Sequence, residues 1–201
     1  MKYYLKQSGF LILYNLFMTV IAFAILMIPG DDLLWLRLLL CGLNISLYLV
    51  IVAMTFFNEG REALKVRHAN DLNRREIIRT GEDLPLKVAE EYKPWKGYFM
   101  GGLIGAPIII CLFIHTILII ISSNLVGAGG VAGLIYMSFF APISTIANVD
   151  VLAWWHYYIL LYALPILSAT AGIAYRLGGD KQQRQYDMIE DKQRQICGGK
   201  V

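Results

Sequence analysis

The long apolar stretches of this sequence contain almost no charge. Lysine and arginine are absent between Lys96 and Arg176, and the central parts of the apolar stretches lack aspartate, glutamate and lysine. Proton- and sodium-coupled transporters usually carry such groups inside the membrane, so this absence argues against that class. Only 16% of all residues are charged and 57% are hydrophobic, which is typical of a membrane protein rather than of a soluble domain.

Recognisable catalytic and cofactor-binding patterns are missing too. The chain has no HExxH or GxSxG sequence, no Walker phosphate loop and no Rossmann glycine pattern. Its three cysteines, Cys41, Cys111 and Cys197, lie far apart and form no CxxC pair, so they indicate neither a zinc site nor a disulfide framework. We therefore expect a protein that is not an enzyme, needs no cofactor or metal, and does not bind nucleic acid.

Four apolar stretches are long enough to cross a membrane, because about 20 helical residues span the hydrocarbon core. They cover roughly residues 10–28, 33–57, 97–121 and 151–175. We predict an all-α integral membrane protein in which these stretches form four transmembrane helices of one membrane domain, residues 1–201. The remaining segments are an arm at 58–96, a cap at 122–150 and a tail at 176–201.

Basic residues are concentrated in three regions of the chain. Of 18 lysines and arginines, all but Arg37 precede residue 7, lie between 57 and 96, or follow residue 175. Since loops rich in lysine and arginine stay inside, we expect the arm and both termini to be cytoplasmic, at a bacterial plasma membrane. The cap is then an outer segment, either re-entrant or interfacial, and we favour the interfacial form. An alternative with a fifth crossing would place six basic residues outside.

The arm contains one predicted helix of substantial length. Asn58 can cap its start, and Thr80-Gly81 can end it. A shorter helix is expected over Leu86–Tyr92. Four basic residues share one face of the longer helix and are candidates for binding lipid headgroups or an acidic partner, although the weakly apolar opposite face slightly favours the alternative below; they are Arg61, Lys65, Arg75 and Arg79. The alternative is a solvated helix whose charges only set the orientation of the chain.

Small residues recur where the third span begins. Gly97, Gly101 and Gly105 are four residues apart and form one column, which another helix backbone can approach closely. Ser168 and Gly172 have the same spacing in the last span. We expect these helix-packing residues to bring the two spans together, or to bind another copy of the chain or a larger partner.

The last span is expected to stop shortly after Tyr175. Gly178-Gly179 has the composition of a helix end, and Asp180 can cap a short helix in the polar tail.

Three of the polar residues inside the spans form a possible pore or polar site. Asn15, Asn44 and His115 are the candidates. A histidine in a membrane span is a functional candidate by default. The alternative is that such groups hydrogen-bond to a neighbouring helix and only contribute to packing.

Two functions remain open from the sequence. The first is a non-catalytic subunit or scaffold of a membrane complex, held together by the small-residue helix faces and the basic arm. The second is a homo-oligomeric channel or transporter of small solutes, built around the polar residues of the spans. Membrane lipids and either further copies of the chain or a larger complex are the expected partners.

Overall fold

The structure, a computed structural model, describes residues 2–29, 33–121, 136–147 and 154–198. Within these ranges the chain is helical and contains no strand. Two 3-10 helices, Val88–Glu90 and Trp154–Tyr162, accompany five α-helices: α1 Lys2–Leu26, α2 Leu34–Thr80, α3 Lys96–Ile121, α4 Met137–Ala147 and α5 Ala163–Gly198.

Four of the helical segments are long and apolar enough to cross a membrane. They are Ser8–Leu26, Leu34–Thr80, Lys96–Leu118 and Tyr157–Ile196. The all-α fold with four potential transmembrane helices is thereby confirmed. Large apolar side chains on these segments remain exposed, including Phe17 at 61% and Phe113 at 66%. Lipid tails are as apolar as the interior of a protein, so exposed apolar side chains are favourable on a helix that crosses a membrane.

The chain divides into two compact units. The first, here called the membrane unit, comprises Met1–Val52 and Phe99–Thr170. The second, the arm unit, comprises Ala53–Tyr98 and Ala171–Val201. Helices α2, α3 and α5 each contribute residues to both units.

In the membrane unit, α4 packs against α1. The Ser138 hydroxyl donates a hydrogen bond of 2.7 Å to Oδ1 of Asn15, and Ala141 belongs to a buried cluster with Ala22, Ile25 and Cys41. With 11 residues α4 is about 16 Å long, too short for a further crossing.

These contacts bear on the form of the predicted cap. They place α4, the described helix of the cap, against the apolar span of α1, and the re-entrant and interfacial forms both remain predictions. The rest of the predicted cap, 122–135 and 148–150, lies outside the described residues.

Helix α3 continues through Pro107, which cannot donate a backbone hydrogen bond. The buried hydroxyl of Tyr136 donates to the carbonyl of Ile104, three residues before the proline. The proline leaves the carbonyl of Leu103, four residues before it, without its usual helical donor, and the Tyr136 bond is made to the adjacent carbonyl.

Helix α2 differs from the prediction at its centre and agrees with it at its end. No new helix begins at Asn58, because α2 continues from the apolar stretch through this residue to Thr80. The glycine that follows has a positive φ of 74°, and its N–H donates to the carbonyl of Ile77. Gly81 therefore ends the helix, as its lack of a side chain predicts.

The prediction that Gly178-Gly179 ends the last helix is wrong. Both glycines are buried within α5, which continues to Gly198, so Asp180 is not a helix cap. A side chain at Gly178 would overlap the backbone carbonyl of Phe57, and one at Gly179 would overlap the ring of Tyr92. The glycines allow close packing, and this contact offsets their low helix propensity.

Candidate interaction site in the arm unit

A buried asparagine of α2 forms hydrogen bonds to the segment 81–95 that follows this helix. Asn70 accepts a hydrogen bond of 3.1 Å from the N–H of Lys87 and donates one of 2.7 Å to Oε1 of Glu91. Asn73, less than one turn further along, donates to the carbonyl of Pro85. The predicted helix over Leu86–Tyr92 is only a short 3-10 turn, Val88–Glu90. Side chains of α2 bind the backbone before this turn, and after it the N–H of Tyr92 donates to the carbonyl of Ala63 in α2.

Two buried charged residues complete this attachment. Glu91 also accepts a hydrogen bond of 2.5 Å from Arg74, which in turn pairs with Asp71. The Lys96 ammonium donates to the carbonyls of Ala89 and Glu91 at 2.8 and 2.5 Å. Buried charges are tolerated when such bonds satisfy them, so the arm keeps one backbone arrangement.

Aromatic rings join α5 to the rest of the arm unit. Tyr92 stacks on Tyr175 with 5.2 Å between ring centroids, and His68 stacks on Tyr186 at 4.4 Å. Burial raises the pKa of the Tyr92 hydroxyl above its usual value. Within the arm unit, the segment 81–95 and the parts of α2 and α5 that belong to this unit thus pack together and present a defined outer surface.

The four basic residues predicted to bind headgroups or a partner lie on this surface. Lys65 pairs with Glu62 at 2.7 Å, and Arg79 pairs with Glu76 at 2.8 Å. Arg75 is exposed, whereas Arg61 is half-buried. Exposed ion pairs of this kind contribute less than about 1 kcal/mol, so the paired side chains remain able to contact another molecule.

The continuity of α2 separates part of this surface from the apolar stretch. At about 1.5 Å of rise per residue, Arg75 lies roughly 27 Å along the helix axis from Phe57, and Arg79 roughly 33 Å. The headgroup layer is only on the order of 5–8 Å thick on each side of the hydrocarbon core. These distances along the helix are several times the thickness of a headgroup layer.

The predicted glycine column packs against α5 within the same chain. A side chain at Gly97 would meet Cβ of Tyr175 at 2.5 Å, and one at Gly105 would overlap Leu164. Gly101, which lies between these two glycines along the chain, is also buried. On the facing helix, Gly172 accommodates the ring of Tyr98, while Ser168 is half-buried. Gly97, Gly105 and Gly172 therefore lie where α3 and α5 pack closely together within this chain.

The three polar candidates of the spans are buried in the membrane unit. Asn15 accepts the hydrogen bond from Ser138, and Asn44 donates to the carbonyl of Met18 at 3.2 Å. The fully buried ring of His115 contacts the rings of Tyr157 and Tyr158, with 5.5 and 6.2 Å between centroids. Each of the three residues therefore contacts other residues of its own chain.

Replacing Ser138 with alanine is expected to lower the free energy of unfolding by about 1 kcal/mol, because Oδ1 of buried Asn15 then loses a donor from α4. The midpoint of thermal unfolding in mild detergent measures this loss. Ser46→Ala is the matched control, since exposed Ser46 bonds only to the carbonyl of Gly42 in its own helix. Equal midpoints for the two variants would contradict a stabilising role of the Ser138–Asn15 bond.

Sequence reasoning missed several residues that build the arm unit. Asn70, Glu91 and Lys96 carry no local pattern that marks them as buried. Gly60 and Gly178 did carry a signal, because a glycine inside a helical stretch usually has a packing reason. Within the described residues, no group of three or more histidines, cysteines, aspartates or glutamates is placed to hold a metal ion.

Comparison with known proteins identifies no relative: no family model, no curated protein and no solved structure matches the chain.

Proposed function

We propose that this protein is a non-catalytic subunit or scaffold of a membrane complex, and that the basic face of its arm unit docks an acidic protein partner. The observation that carries the proposal is the attachment of residues 81–96 to α2 around Asn70, Glu91 and Lys96. This attachment gives the arm a defined surface that presents Arg75 and Arg79. A segment that served only to connect two spans would not need buried charged residues to hold it.

The orientation of the chain is part of this proposal. Residues 57–96 and 176–196 carry most of the basic residues, and they pack together within the arm unit. Segments in contact lie on one side of a membrane, which supports four crossings over five. The positive-inside rule makes that side the cytoplasm, here of a bacterial plasma membrane.

The alternative, a homo-oligomeric channel or transporter, has less support. Asn15, Asn44 and His115 are buried inside one chain, where a pore between copies would not expose them. The small-residue faces of α3 and α5 are also occupied within the chain, so a partner is left with the arm as its main docking surface.

The docking proposal predicts that a tagged full-length chain, extracted from its own membrane with mild detergent, has a mass above that of one chain and its micelle. Reversing Arg75 and Arg79 to glutamate is expected to weaken the complex about tenfold or more, because like charges then face each other. Lys87→Glu with Lys93→Glu is the matched control, since it makes the same charge change elsewhere on the arm.

Two results would overturn the proposal. One is a mass of a single chain at every protein concentration. The other is an equal loss of the complex in both charge-reversed variants. A mass that is a multiple of the chain, together with solute flux in reconstituted vesicles, would favour the channel instead.

A further inference from the structure

Two adjoining cavities between α2 and α5 in the arm unit are here called the groove. One section has a volume of about 500 Å³ and is lined by Ala53, Met54, Phe57, Asn58, Ala174 and Leu177. The adjoining section, of about 590 Å³, shares Phe57 and Leu177 with the first. Each section has a volume within the range of pockets that hold small molecules.

The two sections differ in chemistry. The first is almost entirely apolar, and Met54 and Leu177 are 65% and 56% exposed within it. The second is lined by two cations, Lys181 and Arg184, and by one carboxylate, Asp180. The Lys181 ammonium lies 5.6 Å from the centroid of the Phe57 ring, so a cation–π contact holds it where the two sections meet.

The apolar section lies where the apolar stretches of both helices end. The stretch in α2 ends at Phe57, and in α5 the first charged residue is Arg176. Lys181 and Arg184 follow Leu177 by about 6 and 10 Å along the helix axis. This distance is close to the thickness of a headgroup layer. The lining of the groove therefore changes from apolar to cationic over the same distance in which a phospholipid changes from acyl chain to phosphate.

We propose that the groove binds an anionic phospholipid of the surrounding bilayer. One acyl chain lies along Met54 and Leu177, and the phosphate lies between Lys181 and Arg184. Arginine suits this role because its guanidinium presents paired donors to phosphate oxygens. Two cations against one carboxylate leave the polar section positive, which selects an anionic headgroup over a zwitterionic one. This site is separate from the basic face around Arg75 and does not depend on the docking proposal.

Native mass spectrometry of the full chain in mild detergent tests the proposal. The chain is titrated with phosphatidylglycerol and with phosphatidylcholine of the same acyl chains. We expect phosphatidylglycerol to bind at least tenfold more tightly. Lys181→Gln with Arg184→Gln should weaken its binding about 20-fold, since each basic residue near a membrane surface contributes about fivefold. Leu177→Glu should weaken it as well, by placing a carboxylate in the apolar section.

The matched control is Arg75→Gln with Arg79→Gln, which removes two charges outside the groove and should leave lipid binding unchanged. All the substituted side chains are exposed, and the thermal midpoint of each variant checks that it folds. Any of three results would overturn the proposal. They are equal binding of the two lipids, an equal loss of binding in the groove double variant and in the Arg75→Gln and Arg79→Gln control, and unchanged lipid binding by Leu177→Glu.

Other occupants have distinct signatures in the same spectra. Competition by inorganic phosphate at millimolar concentration would show that the polar section binds a free anion, which overturns the lipid assignment. A dimer mass that disappears with Lys181→Gln and Arg184→Gln would make the groove an interface between two copies of the chain, with the same consequence.

Discussion

Replacing Gly60 with alanine is expected to lower the free energy of unfolding by about 3 kcal/mol, the upper part of the range for overpacked sites. Gly60 is buried in α2, and a Cβ at this position would overlap the backbone carbonyl oxygen of Tyr175 in α5. A side chain can change rotamer, but a helix backbone cannot, so α2 and α5 must move apart. The ring stacking between Tyr92 and Tyr175 would weaken with them.

The midpoint of thermal unfolding in mild detergent measures this effect, and a decrease of about 6 °C or more is expected. Gly42→Ala is the matched control in the same helix, because a Cβ at Gly42 meets nothing within 4 Å. This control should be neutral or slightly more stable, since alanine favours the helix by about 1 kcal/mol. Indistinguishable midpoints for the two variants would contradict the close approach of α2 and α5.

The same contact provides a second test. Gly178 of α5 faces the backbone carbonyl of Phe57, just as Gly60 of α2 faces that of Tyr175. Either substitution separates the same two helices, so the Gly60→Ala and Gly178→Ala double variant should lose less stability than the sum of the single variants. Full additivity would indicate that the two glycines act at independent contacts.

Replacing Asn70 with alanine is expected to release residues 81–95 from α2. The substitution removes the acceptor for the Lys87 N–H and one donor to the buried Glu91 carboxylate. Leaving buried or partly buried polar groups without partners costs about 1–3 kcal/mol for each group. The amide of Lys87 should therefore exchange with deuterium at least tenfold faster, as measured by hydrogen–deuterium exchange mass spectrometry of the full chain.

Asn73→Ala is the control for Asn70→Ala. Asn73 bonds the same segment through the Pro85 carbonyl, but its contact is exposed and water can replace it. We expect little change in exchange at Lys87 for this variant. Unchanged protection in Asn70→Ala would show that Arg74 and Lys96 suffice to hold Glu91 and the segment in place.

The sequence was most informative about elements that local composition specifies. The apolar stretches predict the four potential membrane-crossing helices, because length and hydropathy are read within a single window. The helix end at Thr80-Gly81 is likewise local, since only glycine readily adopts the positive φ found there. The small residues of α3 and α5 were also recognised, and the structure places Gly97 and Gly105 against α5.

Wrong predictions arose where local signals competed with distant contacts. Asn58 resembles a helix cap and Gly178-Gly179 resembles a helix end, yet α2 and α5 continue through them. Helix propensity disfavours glycine by only about 1 kcal/mol, which close packing against another helix can outweigh. The partner of such a glycine lies far away in the chain and cannot be read from its neighbours.

The amino-acid sequence was sufficient to establish a helical membrane protein and a strongly asymmetric distribution of basic charge. The spans are predicted from transfer free energies summed residue by residue, and the basic charges are counted along the chain. Neither step needs to know which residues are neighbours in space. Only the tertiary structure decided whether a polar or small residue is buried against another part of its own chain or is exposed at the surface. Ser138 and Asn15 are 123 residues apart, and Lys96 is buried although its charge suggested a surface residue. Such pairings depend on which helices pack together, and the same composition is compatible with many arrangements of that kind.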